Sequence, residues 1–338
     1  MILELLALNP NSPKLYCLLG DVKSDPSLYH KAWEVSNGKF ARAMRSLGAD
    51  YFRKSDWKTS IDCYARALAI NPLFENSWFI MGCAALKIEE FDIAIKSFSR
   101  VAAIDPDNGE AWNNLASVYI KQKKLPEAFR CLKEAIRPNF DASNIWENYL
   151  FVSVDLGEFQ ESIRAMERIF TVRIEKPEQI EHAIDYEILN IVVKAIMDDV
   201  VDINETHSSA LVPRMKQLLD LITSRINSTR IYTICAKFYQ SQNENRKSLD
   251  FAQKAYRGIL NDPLVNEKEL HFKQLVHVTL GLVEAYSILG SLTEEVRVGG
   301  SFEVVCKDWN YQAKMALKAV MGRTKVYFIF MLGYIRRS

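Results

Sequence analysis

Apolar side chains return every three or four residues along nearly the whole of this chain. In SWFIMGCAALKIEEFDIAIKSFSRVAAIDP, residues 77–106, the run is broken by the polar pair Glu89-Glu90. This spacing predicts two helices, from about Asn76 to Lys87 and from about Glu90 to Ile104, each with one apolar stripe. Further helical patterns fall at 178–199, 208–227, about Glu267–Leu289 and about Phe302–Val320. Half-buried strands would show period-two alternation, and no alternating run of any length occurs, so the pattern predicts an all-α protein.

The helical pattern repeats. Trp78, Trp112 and Trp146 are spaced 34 residues apart, which sets a unit at 75–108 that can be laid over its neighbours at 41–74 and 109–142 without gaps. In the central unit Trp78, Met81, Gly82, Ala94, Phe98 and Pro106 hold fixed places, with Ala85 where tyrosine is expected. The next unit has Trp112, Leu115, Tyr119, Ala128 and Leu132, but Ala116 in place of glycine and an early Pro138. The preceding one has Leu47, Gly48, Tyr51, Tyr64, Ala67 and Pro72, with Met44 for tryptophan and Ser60 for alanine.

One such hairpin cannot bury its own stripe, so neighbours must stack. Gly48 and Gly82, or Ala116 in their place, let paired helices approach closely, as Ala94 and Ala128 do from the second helix. The tryptophans read as core residues, each costing about 3–5 kcal/mol on truncation. Pro72 and Pro106, after Asn71 and Asp105, end one unit before the next begins.

The pattern W-x2-L-G-x2-Y, A-x3-F, P on a period of 34 resembles the tetratricopeptide repeat family. The resemblance implies a right-handed α-solenoid of stacked helical hairpins. Residues 1–40, with Leu19, Gly20 and Ala32 in repeat-like places, form a shortened N-terminal hairpin, and 41–142 hold the three well-matched units. Residues 143–176 form a divergent unit, 177–320 degenerate hairpins and 321–338 an atypical tail. Within the degenerate part, Tyr232, Ala236, Tyr239, Ala252, Ala255 and Pro263 restore the pattern with small shifts.

Composition narrows the functional classes. Forty-three basic side chains against 42 acidic ones give a net charge of +1, so no general attraction to nucleic acid or anionic membrane is expected. The local basic patch Arg42, Arg45 and Arg53 lacks the interleaved aromatics of a single-strand binder beyond Phe52. The six scattered cysteines form no C-x-x-C and read as reduced, mostly buried residues of a cytoplasmic protein, with the nucleus as a further location. MILELLAL at residues 1–8 lacks the basic segment and cleavage site of a signal peptide and reads as an internal helix exposed by truncation. The apolar tail VYFIFMLGYI, residues 326–335, is about half the length of a membrane-spanning helix and reads as a last packing helix or a non-homologous tail from alternative splicing, with membrane contact as the alternative. Asn204 and Asn227 begin Asn-x-Thr triplets, which without a secretory signal read as chance matches to the glycosylation pattern.

Chemistry has no foothold in the pattern. No phosphate-binding loop, dinucleotide fingerprint, H-E-x-x-H or G-x-S-x-G occurs, and the five histidines are dispersed. The expected class is non-enzymatic, with no cofactor, no metal and no small-molecule substrate.

The family resemblance places unit positions 2, 5, 6, 9 and 13 of each first helix in a concave groove. These are Arg42, Arg45, Ser46, Ala49 and Arg53; Asn76, Phe79, Ile80, Cys83 and Lys87; Glu110, Asn113, Asn114, Ser117 and Lys121; and Asn144, Glu147, Asn148, Phe151 and Asp155. The series runs from basic through apolar to amide-rich and acidic. It suits an extended partner segment with an acidic end and a hydrophobic middle. Asn114 and Asn148 recur 34 apart, where an amide can both donate to and accept from a peptide backbone. Family members that hold a chaperone's C-terminal carboxylate use Lys and Asn, then Asn, then Lys and Arg. Here those places hold Arg45 and Ala49, Ile80, then Glu110 and Asn114, so that clamp is missing. The favoured reading is a scaffold or adaptor for other proteins. Its alternatives are a structural module packed on an N-terminal region of a longer protein, or a chaperone-associated assembly factor without the clamp.

Overall fold

The computed structural model describes residues 1–175, 183–202, 205–295 and 302–335. It consists of helices paired into hairpins, in two compact units, 1–156 and 157–338.

The first unit opens with α1 (Ile2–Leu8) and the hairpin α2 (Pro13–Lys23) and α3 (Pro26–Val35). Three longer hairpins follow: α4 (Ala41–Arg53) with α5 (Trp57–Ile70), α6 (Glu75–Lys87) with α7 (Phe91–Ile104), and α8 (Gly109–Lys121) with α9 (Leu125–Ile136). The helix α10 (Ser143–Asp155) packs on α9. Each helix packs on its chain neighbours from α2 to α10, and α6 also touches α8, which touches α10. That second set of contacts lines up the first helices.

The 34-residue period appears as repeated geometry. The turn that follows each of α4, α6, α8 and α10 holds one residue in the left-handed conformation: Ser55 (φ 61°), Glu89 (60°), Lys123 (59°) and Gly157 (74°). Only the last uses glycine, and nothing crowds the place of its absent Cβ, so its role there is conformational. Gly48 and Gly82 answer a different demand. A Cβ on Gly82 would sit 2.8 Å from Phe98 Cε1, and one on Gly48 would sit 2.8 Å from Tyr64 Cε2. The close approach inferred for these glycines is therefore that of an aromatic ring sixteen residues on. Where alanine replaces glycine, at Ala116, Leu132 replaces the ring, and both side chains are fully buried.

The tryptophans do more than fill space. Trp78 Nε1 donates to the Pro72 carbonyl at 2.8 Å, Trp112 Nε1 to Pro106 at 3.0 Å, and Trp146 Nε1 to Phe140 at 2.8 Å. Each indole clasps the carbonyl that ends the previous unit. Trp78 and Trp146 are buried, but Trp112 is half-exposed, against the expectation that all three are core.

The second unit contains α11 (Phe159–Ile174), α12 (Tyr186–Met197), α13 (Val212–Thr223), α14 (Thr229–Ser241), α15 (Asn245–Leu260), α16 (Glu269–Leu289) and α17 (Trp309–Ile335). The hairpin α14–α15 reproduces the first unit's bonding. Ser248 Oγ donates to the Ala236 carbonyl at 2.8 Å, as Ser60 Oγ donates to Gly48 at 2.8 Å. The serine that replaces alanine at position 60 thus adds a bond between paired helices. Two features differ from expectation. The pattern read as a helix from Phe302 begins instead with a strand: β1 (Thr293–Glu295) pairs antiparallel with β2 (Phe302–Val304), and α17 starts only at Trp309. The start of the expected helix 178–199 lies partly outside the described residues, and α12 begins at Tyr186. Among the described residues no helix is long and apolar enough to cross a membrane.

Candidate partner-binding groove

The α2, α4 and α6 helices wall a groove of about 610 Å³ in the first unit. Its lining includes Asp21, Arg42, Arg45, Tyr64, Asn76 and Ser77. Arg42 is clasped by Asp21 at 2.8 Å, and Asp21 also accepts from the Tyr29 hydroxyl at 2.9 Å. Arg45 is half-buried with its guanidinium over the Phe74 ring, 4.4 Å from the centroid. That stacking leaves the edge of the guanidinium, with its five N–H donors, available for an acceptor.

Ser77 lines the same groove at 1% exposure, and its Oγ has no hydrogen-bond partner among the described residues. A buried hydroxyl without a partner costs free energy, on the order of 1–3 kcal/mol, until something supplies one. Burial also pushes the Tyr64 phenol up to about 12, although Arg45 acts the other way, so this wall stays neutral. The groove therefore presents cationic and neutral donors around one carboxylate already engaged by Arg42.

Further along, Asn148 Nδ2 on α10 donates to Asn113 Oδ1 on α8 at 2.9 Å. Asn108 Nδ2 likewise reaches back 33 residues to Glu75 Oε1 at 2.8 Å. Polar ties thus join the starts and middles of successive first helices. Residues 81–142 match the family model described as tetratricopeptide repeat. The chain carries tetratricopeptide repeats.

A TPR repeat-containing protein of Schizosaccharomyces pombe is 37% identical over 314 residues, covering 92% of this chain and 37% of that protein. The tetratricopeptide repeat protein 27 homolog of Dictyostelium discoideum is 51% identical over 90 residues, 27% of this chain and 10% of the homolog. The solved structure of YrrB, described as a TPR protein with an unusual peptide-binding site, is 16% identical with a TM-score of 0.47, covering 54% of this chain and 97% of that one. The present chain therefore spans little more than a third of the S. pombe relative, at 37% of its length.

Within the tetratricopeptide array the predicted groove residues separate into three groups. Arg42, Arg45, Asn76 and Ile80 come together in the groove. Asn113 and Asn148 are tied to each other, while Asn114 stands half-exposed with no side-chain hydrogen bond among the described residues. Three others have partners outside the groove, and Lys87 is not among its lining residues. Arg53 and Lys54 hold the buried Asp50 at 3.3 and 2.7 Å, so Arg53 belongs to its own helix and does not line the groove. Phe79 meets Phe98 edge to face at 5.9 Å, which engages it within its own hairpin. Lys121 reaches Glu89 at 3.6 Å, and Lys87 is exposed at the end of α6.

Asp21, Phe74 and Ser77 were not anticipated. Asp21 had a signal: laying Gly20 over Gly48 gives it the place of Ala49, a groove position. Ser77 had none, because an orphan hydroxyl is a fact of three-dimensional bonding.

Proposed function

We propose that the chain is a non-enzymatic scaffold that holds an extended segment of a partner protein along α4, α6, α8 and α10, in the cytoplasm or nucleus. The tetratricopeptide repeat is a protein-interaction module. The observation that carries the finer reading is Arg45 in the groove, half-buried and stacked on Phe74 with guanidinium donors to offer. It calls for an acceptor. An acidic side chain or a peptide carbonyl of a bound segment supplies it, and Asn114 offers an amide to the same backbone two hairpins on. Ile80 contributes the apolar stretch between them.

Site-specific photocrosslinking in cells tests this. A benzoylphenylalanine at Asn76 or Glu110, both exposed on first helices, should yield the same discrete adduct, whereas one at Arg100, exposed on α7, should not. Adding Arg45→Glu should erase the adduct at Asn76. Adducts at Arg100 alone, or none that depend on Arg45, would sink the proposal.

A further inference from the structure

The second unit carries a groove that no repeat-signature glycine or tryptophan marks. Two cavities, each of about 480 Å³, meet at Thr233, His277 and Val278. One is walled by Tyr186, Asn190, Arg230, Ile234, Leu270 and Lys273 from α12, α14 and α16. The other is floored by Ala236, Ala252, Ala255, Gly281 and Ala285, with Lys237 at its rim. From Leu270 to Gly281 the groove follows α16 for roughly 16 Å at 1.5 Å per residue, the reach of about five extended residues.

Gly281 is the informative residue. Glycine in the interior of a helix destabilises it relative to alanine. Its neighbours give no reason for it: a Cβ built there would meet no heavy atom within 4 Å, unlike those on Gly48 and Gly82. Nor is its φ positive, so the backbone does not require it. What the missing side chain does is keep the alanine-floored cavity open. A local rule broken without an internal compensation points to something external. The cavity is roomy enough to take a bulky apolar side chain against its alanine floor, and Leu280, 56% exposed, extends its apolar rim.

Charge selects the rest of the occupant. Arg230 and Lys237 stand two turns apart on one face of α14, with Lys273 opposite on α16. Among the lining residues these three cations face two carboxylates, Glu187 and Glu284. Arg230 lies over the Tyr186 ring, 5.7 Å from its centroid, and Lys273 pairs with Glu269 at 2.6 Å where both are well exposed. An exposed pair of that kind exchanges its partner at little cost. Lys237 is exposed and has no ion pair among the described residues.

We infer that this groove seats an acidic segment of a partner protein, with one bulky apolar side chain in the socket at Gly281 and carboxylates on Arg230 and Lys237. The site is separate from the groove of α4 and α6 and stands or falls without it.

Fluorescence anisotropy on the full chain tests the inference with a defined probe, a labelled peptide of about twelve residues in which glutamates flank a single phenylalanine. The probe should bind roughly tenfold more tightly than versions with alanine for phenylalanine or lysine for glutamate, the loss expected for one main contact. Gly281→Trp, which fills the socket, should abolish the preference for phenylalanine. Arg230→Glu with Lys237→Glu, both on exposed side chains, should reverse the charge preference even if the tryptophan variant fails to fold. Arg45→Glu should change nothing. Equal binding of the three probes, or a preference that survives both sets of substitutions, would overturn the inference. So would sedimentation showing a dimer that Gly281→Trp dissociates, because the occupant would then be a second copy of this chain.

Discussion

Asn148 and Asn113 are bonded amide to amide, Nδ2 to Oδ1 at 2.9 Å, across 35 residues of chain and between the first helices of two hairpins. The recurrence of asparagine at positions 114 and 148 therefore hides two different roles, since only Asn148 is tied down. Asn148→Ala leaves the Asn113 oxygen without its donor and should cost about 1 kcal/mol of stability. Asn114→Ala removes no internal bond and should fall within about 0.5 kcal/mol of the parent. Urea unfolding of both variants distinguishes them; equal losses would mean the bond contributes nothing.

The ring of Phe98 occupies the space that a side chain at Gly82 would need. Gly82→Ala forces the ring aside and should cost about 1–3 kcal/mol. The next unit solves the same packing with Ala116 and Leu132. Adding Phe98→Leu to Gly82→Ala should thus recover part of the loss, giving a favourable coupling in a double-mutant cycle. Additive losses would show that the helices themselves, and not the ring, require glycine.

Lys123 holds the left-handed turn between α8 and α9 at φ 59°, the conformation that Gly157 holds at 74°. A left-handed backbone costs a lysine roughly 1–2 kcal/mol that glycine avoids, offset in part by glycine's greater freedom when unfolded. Lys123→Gly should therefore raise stability by about 0.5–1 kcal/mol, and Lys123→Val should lower it. Calorimetric melting checks both signs.

Burial pushes the thiols of Cys17, Cys63, Cys83 and Cys131 up to about 11 and that of Cys235 up to about 12. The reactive form is the thiolate, so these five should resist alkylation at neutral pH. Each folded value lies above the unperturbed thiol, so the folded state holds these protons to higher pH than the unfolded chain. The stability this contributes is present below the unfolded value near 9 and is progressively lost as pH rises from there toward 11 to 12, because the unfolded chain gives up these protons first. In a thiol titration at pH 8, unfolding in guanidinium should release the five together; rapid native labelling of Cys17 or Cys235 would contradict the burial.

Much of the scaffold was legible before any coordinate. A 34-residue spacing of Trp78, Trp112 and Trp146 places each first helix, because side chains that pack against identical neighbours must recur in register. The groove was legible in part: Arg42, Arg45, Asn76 and Ile80 do converge, while Phe79 turns to Phe98 and Arg53 to Asp50. Those partners sit within one hairpin, yet position numbers along a helix do not say which of two neighbouring surfaces a long side chain will choose. The strand at Phe302–Val304 was missed for a related reason, since a short apolar run suits helix or strand until a partner strand such as Thr293–Glu295 is at hand.

What the sequence by itself determined was the repeating unit, its helices and the residues that fasten them, because those depend on local periodicity and on steric demands within about 34 residues. Only the tertiary structure decided that Asp21 meets Arg42, that Ser77 is buried without a partner, and that Gly281 stands over an open socket. Each of those is a relation between helices distant in the chain, or the lack of one, and no spacing encodes it.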